Sequence, residues 1–112
     1  MNAVHHVFND IVQITLPKPG LPPLFGTPSN VYVLLGEEPA LIGTGHPCSQ
    51  SSLAVALASI DLSHNDIERV IALDWSPDQL GAADAFPNAD ILVHGDAPTH
   101  PEKYQEFLSQ EI

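Results

Sequence analysis

With 112 residues, 44% of them hydrophobic, the chain has material for one core and is expected to form a single domain over residues 1–112. Its formal net charge is −11, with Lys18, Arg69 and Lys103 as the only permanent cations, so phosphate backbones and anionic lipid surfaces are repelled. Nucleic acid and membrane are thereby set aside as expected partners. Cys48 is the one cysteine, which rules out an intrachain disulfide framework and a thiolate zinc cluster within one chain. The N-terminus has no basic region leading into an apolar stretch, and no window approaches the roughly 18 apolar residues that span a bilayer. A cytoplasmic protein is the expectation.

In chain order, the alternation from Asp10 to Leu16 predicts a strand. Pro17, Pro19, Pro22 and Pro23 with Gly20 then forbid regular structure until about Pro28. A second strand over Asn30 to Leu35 turns through Gly36-Glu37-Glu38-Pro39 into a third at Ala40 to Ile42, a hairpin by spacing. Gly43-Thr44-Gly45-His46-Pro47 breaks the pattern. Ser49 to Ile60 then reads as a helix lying on the sheet, with Leu53, Val55, Ala56, Leu57 and Ile60 as its apolar positions.

Ser63 and Asp66 form a short helix start before a buried strand from Val70 to Leu73. A small-residue helix is predicted from Pro77 to about Phe86, and a strand from Asp90 to His94. Thr99-His100-Pro101-Glu102 is a capping box that opens a last helix to about Glu111. The expected order is βββαβαβα, an α/β (α+β) arrangement of a mixed sheet with helices on one face.

The stretch from Val70 to Ala83 carries the strongest chemical signal: an apolar strand runs into Asp74-Trp75-Ser76-Pro77-Asp78-Gln79, and a helix with Gly81-Ala82 follows. It resembles the signature loop of the metallo-β-lactamase fold, in which a strand ends in Thr-His-x-His-x-Asp-His ahead of a Gly-Gly-like pair. Asn30 to Leu35 before a hairpin, and Leu41-Ile42-Gly43-Thr44-Gly45 where the family has an Asp-Thr-Gly-like turn, extend the resemblance to roughly residues 10 to 95. What it implies is half of an αββα sandwich, because the family fold has two β-rich halves and needs about twice this length. Asp74, Ser76 and Gln79 stand where the family has histidines, and only Asp78 matches. Gly43 stands where the family often has Asp.

A zinc hydrolase holds its metal with imidazoles and carboxylates at about 2.0–2.2 Å, and this loop is poor in such donors. Asp74 could supply an oxygen and Gln79 a weak amide oxygen. A metal set of His46, Asp78 and His94 is geometrically open, since His46 and His94 end elements that point to the same rim as the loop. Against metal stands a purely local role: Ser76 as N-cap, Pro77 at N1, Asp78 at the positive helix end and Gln79 at N3 make a capping box. A calcium loop is disfavoured, because the sixth position is Gln79 rather than Gly and the twelfth is Ala85 rather than Glu. His46 and Cys48 lack an oriented third group for nucleophilic catalysis, so no catalytic residue is assigned. Trp75 at the rim is either a binding contact or an anchor under the Pro-rich loop.

These readings combine into a degenerate metallo-β-lactamase-like half-domain that is not a hydrolase by itself and acts in binding or assembly without a cofactor. One sheet face would remain apolar, and closure by a second copy into a homodimer is expected. The rival expectation is a zinc-, iron- or manganese-dependent hydrolase whose remaining ligands come from a second chain or a missing C-terminal part.

Overall fold

The computed structural model of the chain describes residues 3–18 and 28–93. Six strands form one sheet in sequential order: β1 (Val4–Phe8), β2 (Ile11–Leu16), β3 (Ser29–Leu34), β4 (Ala40–Ile42), β5 (Arg69–Ala72) and β6 (Asp90–Val93). The first four are antiparallel neighbours, whereas β4, β5 and β6 run parallel. Parallel neighbours need crossover connections. α1 (Gln50–Ala58) lies in the first, and α2 (Pro77–Leu80) with a 3-10 turn at Ala83–Ala85 lies in the second.

Strand alternation sets the layers. Val12, Ile14 and Leu16 of β2, Val31 and Val33 of β3, Leu41 of β4 and Val70 of β5 are fully buried on one face. Leu53, Ala56 and Leu57 of α1 cover them, joined by Ile67 and Phe86. The opposite face carries, in register across four strands, Tyr32, Ile42, Ile71 and Leu92. Beside that row, Ile11 pairs with Leu34, and Arg69 pairs with Asp90. No helix of the described residues lies between this face and solvent: its central side chains are half-buried and Leu92 is 51% exposed.

Several expectations are corrected here. β1 is not predicted from the sequence; it is an edge strand, irregular between His6 and Phe8, with Val7 and Phe8 exposed. Val55, predicted as a core position of the helix, is 73% exposed, because Leu53, Ala56 and Leu57 define the buried stripe. The predicted strand from Val70 to Leu73 lies one residue earlier, leaving Leu73 exposed. The helix predicted from Pro77 to Phe86 closes after Leu80. The reason is capture of its carbonyls. Asp78 O accepts from Gly45 N at 2.8 Å and Gln79 O accepts from Thr44 N at 3.0 Å, so the oxygens that a longer helix needs for Ala82 and Ala83 are already in use.

The Ser63–Asp66 turn forms as expected, its carboxylate accepting from Ser63 N at 2.9 Å. His94, the box from Thr99 to Glu102 and the last predicted helix lie outside the described residues, as do residues 19–27 of the Pro-rich stretch. Among the described residues, no helix is long and apolar enough to cross a membrane.

Candidate functional site

The 43–49 turn and the 73–82 loop meet at the ends of β4 and β5. Gly43 N donates to Ile71 O at 2.9 Å, which extends the ladder into the turn. Gly43 and Gly45 adopt φ of +80° and +76°, a left-handed conformation that side chains disfavour. Thr44, fully buried between them, accepts from Ala82 N at 3.1 Å and donates to Gly45 O at 2.8 Å through its hydroxyl. Two glycines and one threonine thereby seat the loop against the sheet.

The loop's polar side chains turn inward on this frame. Asp74 Oδ1 accepts from Ser76 N at 2.7 Å, an Asx turn that closes the loop on itself. Gln79 Oε1 accepts from Leu73 N at 3.0 Å. A Cβ on Gly43 would lie 3.2 Å from the Gln79 amide. The two departures from the family pattern, Gly43 and Gln79, therefore fit each other: the missing side chain at 43 makes room for the amide.

Asp78, the one family-matching residue, pairs with Lys18 Nζ at 2.8 Å, with the lysine side chain 11% exposed and the carboxylate 37%. Lys18 is held from behind, because the buried Ser49 hydroxyl donates to Pro17 O. The expected capping box is corrected in part. Ser76 is the N-cap and Pro77 stands at N1, yet the Ser76 side chain makes no capping bond. Its own amide is taken by Asp74, and Gln79 reaches to Leu73 instead of back to Ser76.

His46 is 2% exposed and caps the 3-10 turn Pro47–Ser49, its Nδ1 accepting from Cys48 N at 3.1 Å. That ring nitrogen serves the backbone, not the Cys48 thiol. Trp75 is half-buried on the loop. Among the described residues no group of three or more His, Cys, Asp or Glu side chains is placed to hold a metal ion. Of the candidate donors on the loop, Asp74 and Gln79 accept from loop amides and Asp78 faces an ammonium.

Sequence reasoning missed Lys18, Thr44 and Gln50. Gln50 Nε2 donates to Thr44 O at 3.0 Å and His46 O at 3.1 Å, while its Oε1 faces His64 Nε2 at 2.9 Å. Since the amide nitrogen supplies both donors, Oε1 accepts and the His64 proton sits on Nε2. The His64 ring lies 4.8 Å from that of Phe86, and partial burial lowers its pKa below the usual 6.5.

A lowered histidine pKa favours the neutral ring in the folded state, so the unfolded chain binds the proton first as pH falls. Stability from this group is present above pH 6.5 and is lost as pH drops from there toward the folded pKa. Thermal melts between neutral and mildly acidic pH are expected to fall more steeply for the native chain than for His64→Gln. Equal slopes would contradict this.

No protein-family model matches the sequence, and no curated protein matches it. Solved structures do match. A metallo-β-lactamase family protein from Thermus thermophilus aligns at 26% identity and TM-score 0.63, covering 73% of this chain and 27% of that one. A metallo-β-lactamase from Pontibacter korlensis aligns at 18% identity and TM-score 0.59, covering 80% and 42%. A hydrolase of the β-lactamase superfamily, at 16% identity and TM-score 0.63, covers 99% and 55%. The chain thus spans about half or less of the length of each. The mixed six-stranded sheet, its crossover helices and these alignments together show that the chain has the metallo-β-lactamase fold over the part of those proteins that it matches.

Proposed function

We propose that this chain is a degenerate metallo-β-lactamase-fold module that does not hydrolyse substrates by itself and acts in binding or assembly, in the cytoplasm. One observation carries the reading: Asp78 is tied to Lys18 at 2.8 Å. An ammonium beside the carboxylate supplies the positive charge that a metal would otherwise bring, and it leaves an incoming cation facing like charge. The engagement of Asp74 and Gln79 with backbone amides of their own loop supports the same reading. Trp75, on the rim of this loop, is proposed as a binding contact.

The second reading is a zinc-, iron- or manganese-dependent hydrolase completed by ligands from a second chain or a C-terminal part. It is favoured by coverage of only 27% to 55% of the similar solved chains. In that reading Asp78, Asp74, His46 and His94 are the residues of this chain available as ligands.

Thermal melts with chelator and with added zinc or manganese separate the two. No metal-induced rise is expected for the native chain. Asp78→Asn is expected to cost about 1 kcal/mol, equally in both conditions, through loss of a partly screened ion pair. A rise with metal that Asp78→Asn abolishes would favour the hydrolase reading.

A further inference from the structure

We propose that the cleft between α1 and the β1 and β2 side of the sheet binds a small, neutral, mainly apolar molecule, an inference that goes beyond the ligand loop and holds under either metal reading. The helix gives the first reason. A helix with one face in water ordinarily carries charge there, yet α1 holds no charged residue on any side, and its exposed positions include Ala54, Val55 and Ala58. Val55 is 73% exposed. In a chain with 14 acidic and 3 basic residues, an outer helix without charge stands apart from the rest of the surface. It lies on the helix side of the sheet, and the sheet-to-sheet seam of an αββα sandwich is on the opposite face.

Shape and charge select the occupant. The cleft has a volume of about 740 Å³ and is lined by Ser51, Ser52 and Val55 of α1 and, from the strand side, by Val4, Pro17 and Pro28. Small-molecule sites enclose roughly 300–1,000 Å³, whereas a stable protein contact needs a patch of about 800 Å² on each partner. A concave site of this size suits a small ligand. None of the described residues that line it is charged, so a carboxylate or an ammonium bound here would lose water without gaining a counter-charge. The hydroxyls divide in the same sense. Thr15 and Ser59 donate theirs to Asn30 Oδ1 at 2.8 Å and to Ala56 O at 2.6 Å, which leaves Ser51 and Ser52 to meet a polar group of the ligand. An alcohol, ester or ketone on a hydrocarbon frame fits that lining.

Titration of the isotope-labelled chain with 1-octanol at high salt, followed by amide chemical shifts, tests the inference, with octanoate and octylammonium as charged analogues of the same length. The expected result is saturable binding at one site, with shifts centred on Val4, Ser51, Ser52 and Val55. Both charged analogues are expected to bind there at least tenfold more weakly. Val55→Glu, at an exposed position where the melting temperature should stay near that of the native chain, is expected to weaken 1-octanol at least tenfold. Leu92→Glu, on the opposite face of the sheet, is expected to leave it unchanged. Absence of a saturable shift at the cleft would overturn the inference, as the sign of a cleft filled by other residues of the chain or by a protein. Shifts confined to Ile42, Ile71 and Leu92, or binding indifferent to Val55→Glu or to the charge of the probe, would overturn it too. Metal content of the same samples tests the loop reading separately, so either proposal can fail alone.

Discussion

Gly45→Ala is expected to be among the most destabilising single substitutions in this chain, at about 2–5 kcal/mol. Two costs add. Gly45 holds φ +76°, where an L side chain costs about 1–2 kcal/mol. An added Cβ would also lie 2.6 Å from Leu16 Cδ1, and Leu16 is fully buried in the core, so relief requires repacking at about 1–3 kcal/mol. The same residue donates its amide to Asp78 O, which couples the damage to the loop. Urea unfolding should show a lowered midpoint with an unchanged slope. A loss below about 1 kcal/mol would mean that the turn is not held in this conformation.

Thr44→Val is expected to cost about 2–4 kcal/mol, although it conserves shape and adds apolar surface. The hydroxyl is buried and serves two backbone groups, accepting from Ala82 N and donating to Gly45 O. Valine leaves the Ala82 amide and one lone pair of the Gly45 carbonyl without those bonds, and each unmade buried bond costs about 1–3 kcal/mol. Thr44→Ser keeps the hydroxyl and loses one methyl, so it should cost about 1 kcal/mol. Equal losses for valine and serine in denaturant titrations would show that Thr44 acts by packing and not by hydrogen bonding.

The part of the fold set by local pattern was legible in the sequence. Alternation marked β2 and β3, the Gly36–Pro39 turn marked the hairpin to β4, and the Ser63–Asp66 box formed as read. β1 was not legible, because Val4-His5-His6-Val7-Phe8 has no period of two and its place is fixed by pairing with β2. The early end of α2 was illegible for a related reason. The carbonyls of Asp78 and Gln79 are taken by amides more than thirty residues earlier in the chain, and helix propensity carries no trace of that.

At the site, the loop could be located from sequence, but its internal chemistry could not. Lys18 and Asp78 are separated by 60 residues, so nothing local pairs them, although a chain with so few cations makes each lysine worth tracing. The choice of Gln79 between Ser76 and Leu73 was settled by competition. Asp74 claims the Ser76 amide, and the space left by Gly43 admits the Gln79 side chain beside Leu73.

The central claim, that the ligand loop is closed by the chain's own residues and not by a metal, is tested most directly by elemental analysis of untagged protein after dialysis. The expected result is well below one-tenth of an equivalent of zinc, iron or manganese per chain. One or two equivalents, retained against a mild chelator, would contradict it and establish the metal-dependent reading.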